Sequence, residues 1–150
     1  MNEFFGSIYE LFARLGLYGT GLEMYLYGFE CDTGAFTGQA LYASMGFWMI
    51  FCAAISALLF YKIIDHPRFN RWYHWLIMMG INALALFLIP YIRLKDHLDI
   101  GRICDDLNVQ NSDIVGFAIS NLILGVFLYI VFSLGLRFWS RNASCTPYPL

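Results

Sequence analysis

Three stretches of this chain are long, apolar and almost free of charge, and they limit its possible folds more than any other feature. The first is residues 41–64, LYASMGFWMIFCAAISALLFYKII, uncharged until Lys62. The second is 72–92, WYHWLIMMGINALALFLIPYI, and the third is 114–136, IVGFAISNLILGVFLYIVFSLGL, which stops at Arg137. At about 1.5 Å of rise per residue, each run reaches roughly 30–36 Å as a helix. A hydrocarbon core is about 30 Å thick, so each can cross once with some tilt. The residues between them are too few and too apolar to clothe three such helices in water. Composition agrees: 59% of the chain is apolar and only 13% charged, against about 45–50% and 25% in soluble domains. The pattern predicts an all-α integral membrane protein.

Flanking residues support these spans. Trp72, Tyr73 and Trp75 open the second run, Tyr91 closes it, and Phe138 and Trp139 follow the third. Amphipathic aromatic rings favour the headgroup level. Pro90 falls close to the expected end of the second helix, where a missing backbone N–H matters least.

The N-terminal segment, 1–40, reads differently. Phe4, Ile8, Phe12 and Leu15 recur at helical spacing, and Glu3, Ser7, Glu10 and Arg14 share another face. This predicts an amphipathic interfacial helix. With Glu3 and no basic stretch before it, the segment does not resemble a secretory signal. Gly16, Gly19, Gly21, Gly28, Gly34 and Gly38 follow, a density that points to turns and short pieces. A fourth crossing over 8–29 is the alternative, and Glu10, Arg14 and Glu23 count against it.

Charge orients the spans. The connector 65–71 with its flanks, 62–74, carries Lys62, Arg68 and Arg71 against Asp65, and the tail 137–150 carries Arg137 and Arg141. Acidic groups dominate the N-terminal segment and the 93–113 connector. The positive-inside rule then places the N-terminus outside and the C-terminus in the cytoplasm, most simply in a bacterial inner membrane. By the same rule the sequon at Asn142 stays on the cytoplasmic side. Of the four cysteines, Cys52 lies in the first span and Cys145 in the tail. Cys31 and Cys104 fall on the same outer face, where an oxidising compartment lets them form a disulfide.

Nothing in the chain matches a catalytic signature such as CxxC, HExxH, GxSxG or a P-loop. His66, His74 and His97 do not assemble a ligand set, and the spacing of Asp105, Asp106, Asn108 and Asp113 does not fit an EF-hand. That connector is expected to form a short amphipathic helix directing Leu94, Leu98, Ile103 and Leu107 at the membrane or a partner. No cofactor, metal or catalytic residue is expected. Lys and Arg number 9 against 11 Asp and Glu, which also excludes a nucleic-acid partner.

Inside the spans Asn82 and Asn121 are expected to pair with one another or with Ser56, because an amide in lipid needs a partner. Gly46, Ala53 and Ala57 on the first helix, and Gly116 and Ser120 on the third, form small-residue faces for close helix packing. No Asp, Glu, Lys or Arg sits mid-span, unlike pumps and voltage sensors. These features suggest a non-enzymatic multi-pass subunit or scaffold of a cell-envelope assembly for secretion or motility. Its partners are then lipid and other membrane subunits or copies of itself. A homo-oligomeric channel or membrane-disrupting effector is the second reading, and a membrane redox protein using Cys31 and Cys104 the third.

Overall fold

The computed structural model describes residues 2–31, 33–39, 41–63 and 72–138. The basic connector with His66, and the tail from Trp139 through Asn142 and Cys145, lie outside the described residues. Five α-helices occur among those described: α1 (Asn2–Arg14), α2 (Thr20–Leu26), α3 (Leu41–Leu58), α4 (Trp72–Asp99) and α5 (Asn111–Arg137). A π-helical turn, Leu59–Ile63, continues α3, and a 3-10 turn, Asp105–Leu107, precedes α5. The chain is all-α, with three helices long and apolar enough to cross a membrane.

The fourth crossing is not realised. Residues 8–29 are broken between α1 and α2, where Gly16 takes φ +77°. The expected helix in the acidic connector is corrected too. Leu94 and Leu98 belong to α4, which runs unbroken past Pro90 to Asp99, so Pro90 is an interior residue. Arg93 and Lys95 are partly exposed and Asp96 and Asp99 exposed on these last turns, so a charged helix continues where hydropathy expected an end. Ile103 is buried, and only the three-residue turn Asp105–Leu107 is helical in the rest of the connector.

Contacts divide the chain into two compact units. One comprises Met49–Leu86 and Leu122–Leu150. Its core joins Ala57, Phe60, Tyr61, Trp75 and Tyr129, flanked by Met78, Met79 and Ile130. Two polar pairs bridge its helices: the Trp75 Nε1–H donates to Ser133 Oγ at 3.1 Å, and Ser56 Oγ–H donates to Asn82 Oδ1 at 3.2 Å. Gly125 admits the Leu86 side chain so closely that an added Cβ would lie 2.1 Å from its Cδ1.

The other unit comprises Met1–Trp48 and Phe87–Asn121. Here α1 has three faces. Phe5 and Tyr9 are buried against the unit; Phe4, Leu11 and Leu15 are 66%, 60% and 69% exposed; Glu3, Ser7, Glu10 and Arg14 form the polar face. The sequence reading assigned one apolar face, and the structure splits it. Ile8 and Phe12 are half-buried between the packed and the exposed stripes. An Arg14–Glu10 ion pair, 2.8 Å, spans one turn of the polar face.

Candidate functional site

The residues with the densest polar chemistry lie in the first of these ranges of the chain, Met1–Trp48, and in Phe87–Asn121. Their framework is aromatic. Tyr9, Tyr18, Tyr42 and Phe117 pack with ring centroids 5.0–6.1 Å apart. Each hydroxyl is anchored. Tyr18 donates to the Tyr9 backbone carbonyl at 2.7 Å, Tyr9 donates to Asn121 Oδ1, and the Tyr18 and Tyr42 hydroxyls lie 3.4 Å apart. Burial raises the Tyr18 phenol to about 12 and lifts Tyr9 as well, so both remain neutral donors at ordinary pH.

Small residues let the N-terminal backbone approach. At Gly46 an added Cβ would meet the Phe5 ring at 2.2 Å; at Gly116 it would meet the Leu17 carbonyl oxygen at 1.6 Å. These two glycines therefore receive the N-terminal segment. Ser120 donates back to the Gly116 carbonyl at 2.9 Å. Ala53 and Ala57 are fully buried. Asn121 holds Tyr9 and Asn82 holds Ser56, and both amides are almost wholly buried, at 2% and 1% exposure.

Asp113 joins two helix starts. Its Oδ2 accepts the Gln110 N–H at 2.9 Å, as a third-position acid does at a helix N-terminus. Its Oδ1 accepts from Gly19, the N-cap of α2, at 2.8 Å. Asp113→Ala should remove both bonds and cost about 1–2 kcal/mol. Equilibrium unfolding in mixed micelles measures this; an unchanged midpoint would show that these caps contribute nothing.

Cys31 and Cys104 stand at disulfide distance, with Cα atoms 5.7 Å apart and a separation of 73 positions in sequence. They tie the loop after α2 to the segment after α4. That loop is closed at its neck by glycine: Gly28, at φ +95°, lies against the backbone of Gly38, whose N–H donates to the Gly28 carbonyl at 2.9 Å. Within it, Glu30 and Ala35 form an isolated antiparallel bridge, and Thr37 Oγ1 donates to Glu30 Oε2 at 2.6 Å.

Beside the cysteine pair opens a cleft of about 420 Å³, lined by Tyr25, Glu30, Cys31, Gln39, His97 and Arg102 among others. Tyr25 and His97 Nδ1 are hydrogen-bonded at 2.7 Å. Burial lifts the Tyr25 phenol, while the charges of Arg102 and Arg93 oppose that rise. Arg93 also donates from Nη1 to Ser44 Oγ at 3.4 Å.

Sequence reasoning singled out Cys31 and Cys104 and the pair Asn82 with Ser56, expected Asn121 to join Asn82 or Ser56 where the structure joins it to Tyr9, and missed the cleft. Tyr25, Glu30, His97 and Arg102 come from separate segments with no shared motif. The one available signal was the run of tyrosines at 9, 18, 25 and 27 in a segment too polar to be a span. Among the described residues no group of three or more His, Cys, Asp or Glu side chains converges as a metal site. No family model matches this chain, and neither a curated protein nor a solved structure is similar to it.

Proposed function

We propose that the protein is a non-enzymatic multi-pass subunit or scaffold of a cell-envelope assembly, docking its partner through the segments tied together by Cys31 and Cys104. The supporting observation is what those braced segments display. Phe36, in the loop after α2, is 63% exposed, and Ile100, just beyond α4, is 62% exposed. Neither lies within a candidate span, whereas the exposed Phe47 and Phe127 do and face lipid there. Exposed aromatic and aliphatic anchors on a fixed backbone are what protein interfaces use.

The proximity of Cys31 and Cys104 supports an oxidising side for this part of the chain. With the charge distribution, it favours the N-terminus outside and the C-terminus in the cytoplasm of a bacterial inner membrane. In that setting α1 lies along the interface, with Phe4, Leu11 and Leu15 in lipid and Glu3, Glu10 and Arg14 in water. Burial of Asn82 and Asn121 weighs against the channel reading, which needs those amides on a pore wall.

A photocrosslinking residue placed at Phe36, at Ile100 or at the lipid-facing control Phe127 tests the proposal in native membranes. The first two should give one discrete adduct containing the same second protein, identified by mass spectrometry, and the control should give lipid alone. A ladder of this chain with itself would transfer the assignment to the oligomeric channel. Lipid adducts at all three positions would remove the docking role.

A further inference from the structure

The cleft contains opposite charges that are not spent on each other. Glu30 and Arg102 both line it, yet no ion pair joins them among the described residues. One oxygen of Glu30 accepts from Thr37, and the Arg102 side chain makes no hydrogen bond among those residues. Their backbones are nevertheless fixed. Glu30 is next to Cys31 and bonds its N–H to the Ala35 carbonyl at 3.0 Å. Arg102 is two residues from Cys104 and bonds its N–H to the His97 carbonyl at 2.9 Å. The cysteine pair thus holds a carboxylate and a guanidinium beyond ion-pair distance across a shared space.

Such spacing fits a ligand that carries both charges. An anionic group satisfies the Arg102 fork, which suits phosphate or carboxylate oxygens. Arg93 adds positive potential at the neighbouring Tyr25–His97 pair. A primary ammonium satisfies the open oxygen of Glu30. The cleft's volume falls within the usual small-molecule range. Its walls come from Tyr25 of α2, His97 in the last turn of α4, Leu41 at the start of α3 and the loops beside them. Leu41 opens one candidate span and His97 lies five residues past the apolar run of another, positions that suit the depth of lipid headgroups.

We infer that this cleft binds a phosphoethanolamine group, its phosphate on Arg102 and its ammonium on Glu30. The group arrives either as a phospholipid headgroup or as a free solute. This assignment is independent of the docking role, because it concerns Glu30 and Arg102 and the partner surface concerns Phe36 and Ile100.

The test uses the full chain in nanodiscs of phosphatidylglycerol, titrated with phosphoethanolamine by calorimetry. Saturable binding is expected, with inorganic phosphate and ethanolamine each at least tenfold weaker. Glu30→Gln and Arg102→Gln should each weaken phosphoethanolamine at least tenfold, and so should reduction of the cysteine pair. Both side chains are exposed, and retention of the cysteine link on a non-reducing gel shows that the variants fold. Nanodiscs containing phosphatidylethanolamine separate the sources: competition with the soluble probe identifies the lipid headgroup, and undiminished binding identifies the free solute. No saturable binding by the folded protein would overturn the assignment. So would a Glu30→Gln variant of unchanged affinity, which would leave a plain anion site.

Discussion

Gly116→Ala is expected to destabilise the protein by about 3 kcal/mol, the upper end of what overpacking costs. The added Cβ would stand 1.6 Å from a backbone oxygen, that of Leu17, so no side chain can swing aside to relieve it. Leu17 is itself held. Its N–H bonds the Phe12 carbonyl at 3.2 Å, its neighbour Tyr18 is bonded to Tyr9, and Gly19 is bonded to Asp113. The turn between α1 and α2 must therefore lift from α5 as a whole, exposing Tyr18 and Phe117. Gly80→Ala provides the opposite case. No heavy atom lies within 4 Å of its Cβ position in α4, so alanine should gain about 0.5–1 kcal/mol of helix stability. Unfolding midpoints in micelles of rising SDS content, measured for both variants, decide the matter. Equal shifts of the same sign would mean that the close approach of Leu17 to α5 is not a feature of the folded protein.

These glycines also mark the limit of what could be read from the sequence. The spans were legible because lipid reduces the problem to apolar length and missing charge. Small residues on the first and third helices were legible as contact points, but not their partners. Gly46 and Gly116 receive Phe5 and Leu17 from the N-terminal segment, and spacing along one helix carries no information about what packs on it. The same gap appears in α1. Tyr9 counts as a core residue only when its hydroxyl has a partner, and that partner is Asn121, 112 residues away. Without it, periodicity favours Phe4 and Leu15, which the structure leaves exposed.

Cys31 and Cys104 were legible for another reason. The expected three-span topology puts them on one side of the membrane, and the other two cysteines in a span or on the opposite side. The cleft beside them was not legible, because Glu30 and Arg102 become neighbours only after that closure is made. A pairing inferred from compartment is thus a different kind of knowledge from a site inferred from pattern. The first rests on the expected topology alone. The second requires knowing the path of the chain over a separation of 73 positions.

Replacing both Cys31 and Cys104 by serine is expected to cost about 2–3 kcal/mol. A loop of 73 residues corresponds to about 4 kcal/mol in the chain-entropy account. The smaller figure applies here because α3 and α4 lie inside that loop and remain helical in lipid, so the unfolded chain has less freedom to regain. Both cysteines must be changed together, since a single substitution leaves a thiol in addition to Cys52, which is already free. The loss should also be local. Gly38 N–H and Arg102 N–H, bonded to the Gly28 and His97 carbonyls, should exchange with deuterium at least tenfold faster. Backbone amides around Trp75 and Tyr129, in the other unit, should keep their protection. Uniformly faster exchange would mean that the link holds the whole fold, and unchanged exchange would mean that it holds none of it. A reductant unable to cross the bilayer extends the experiment to sidedness. Added outside intact cells, it should reproduce the double substitution at Gly38 and Arg102. If it acts only after the cells are opened, the N-terminus faces the cytoplasm and the orientation drawn from charge is reversed.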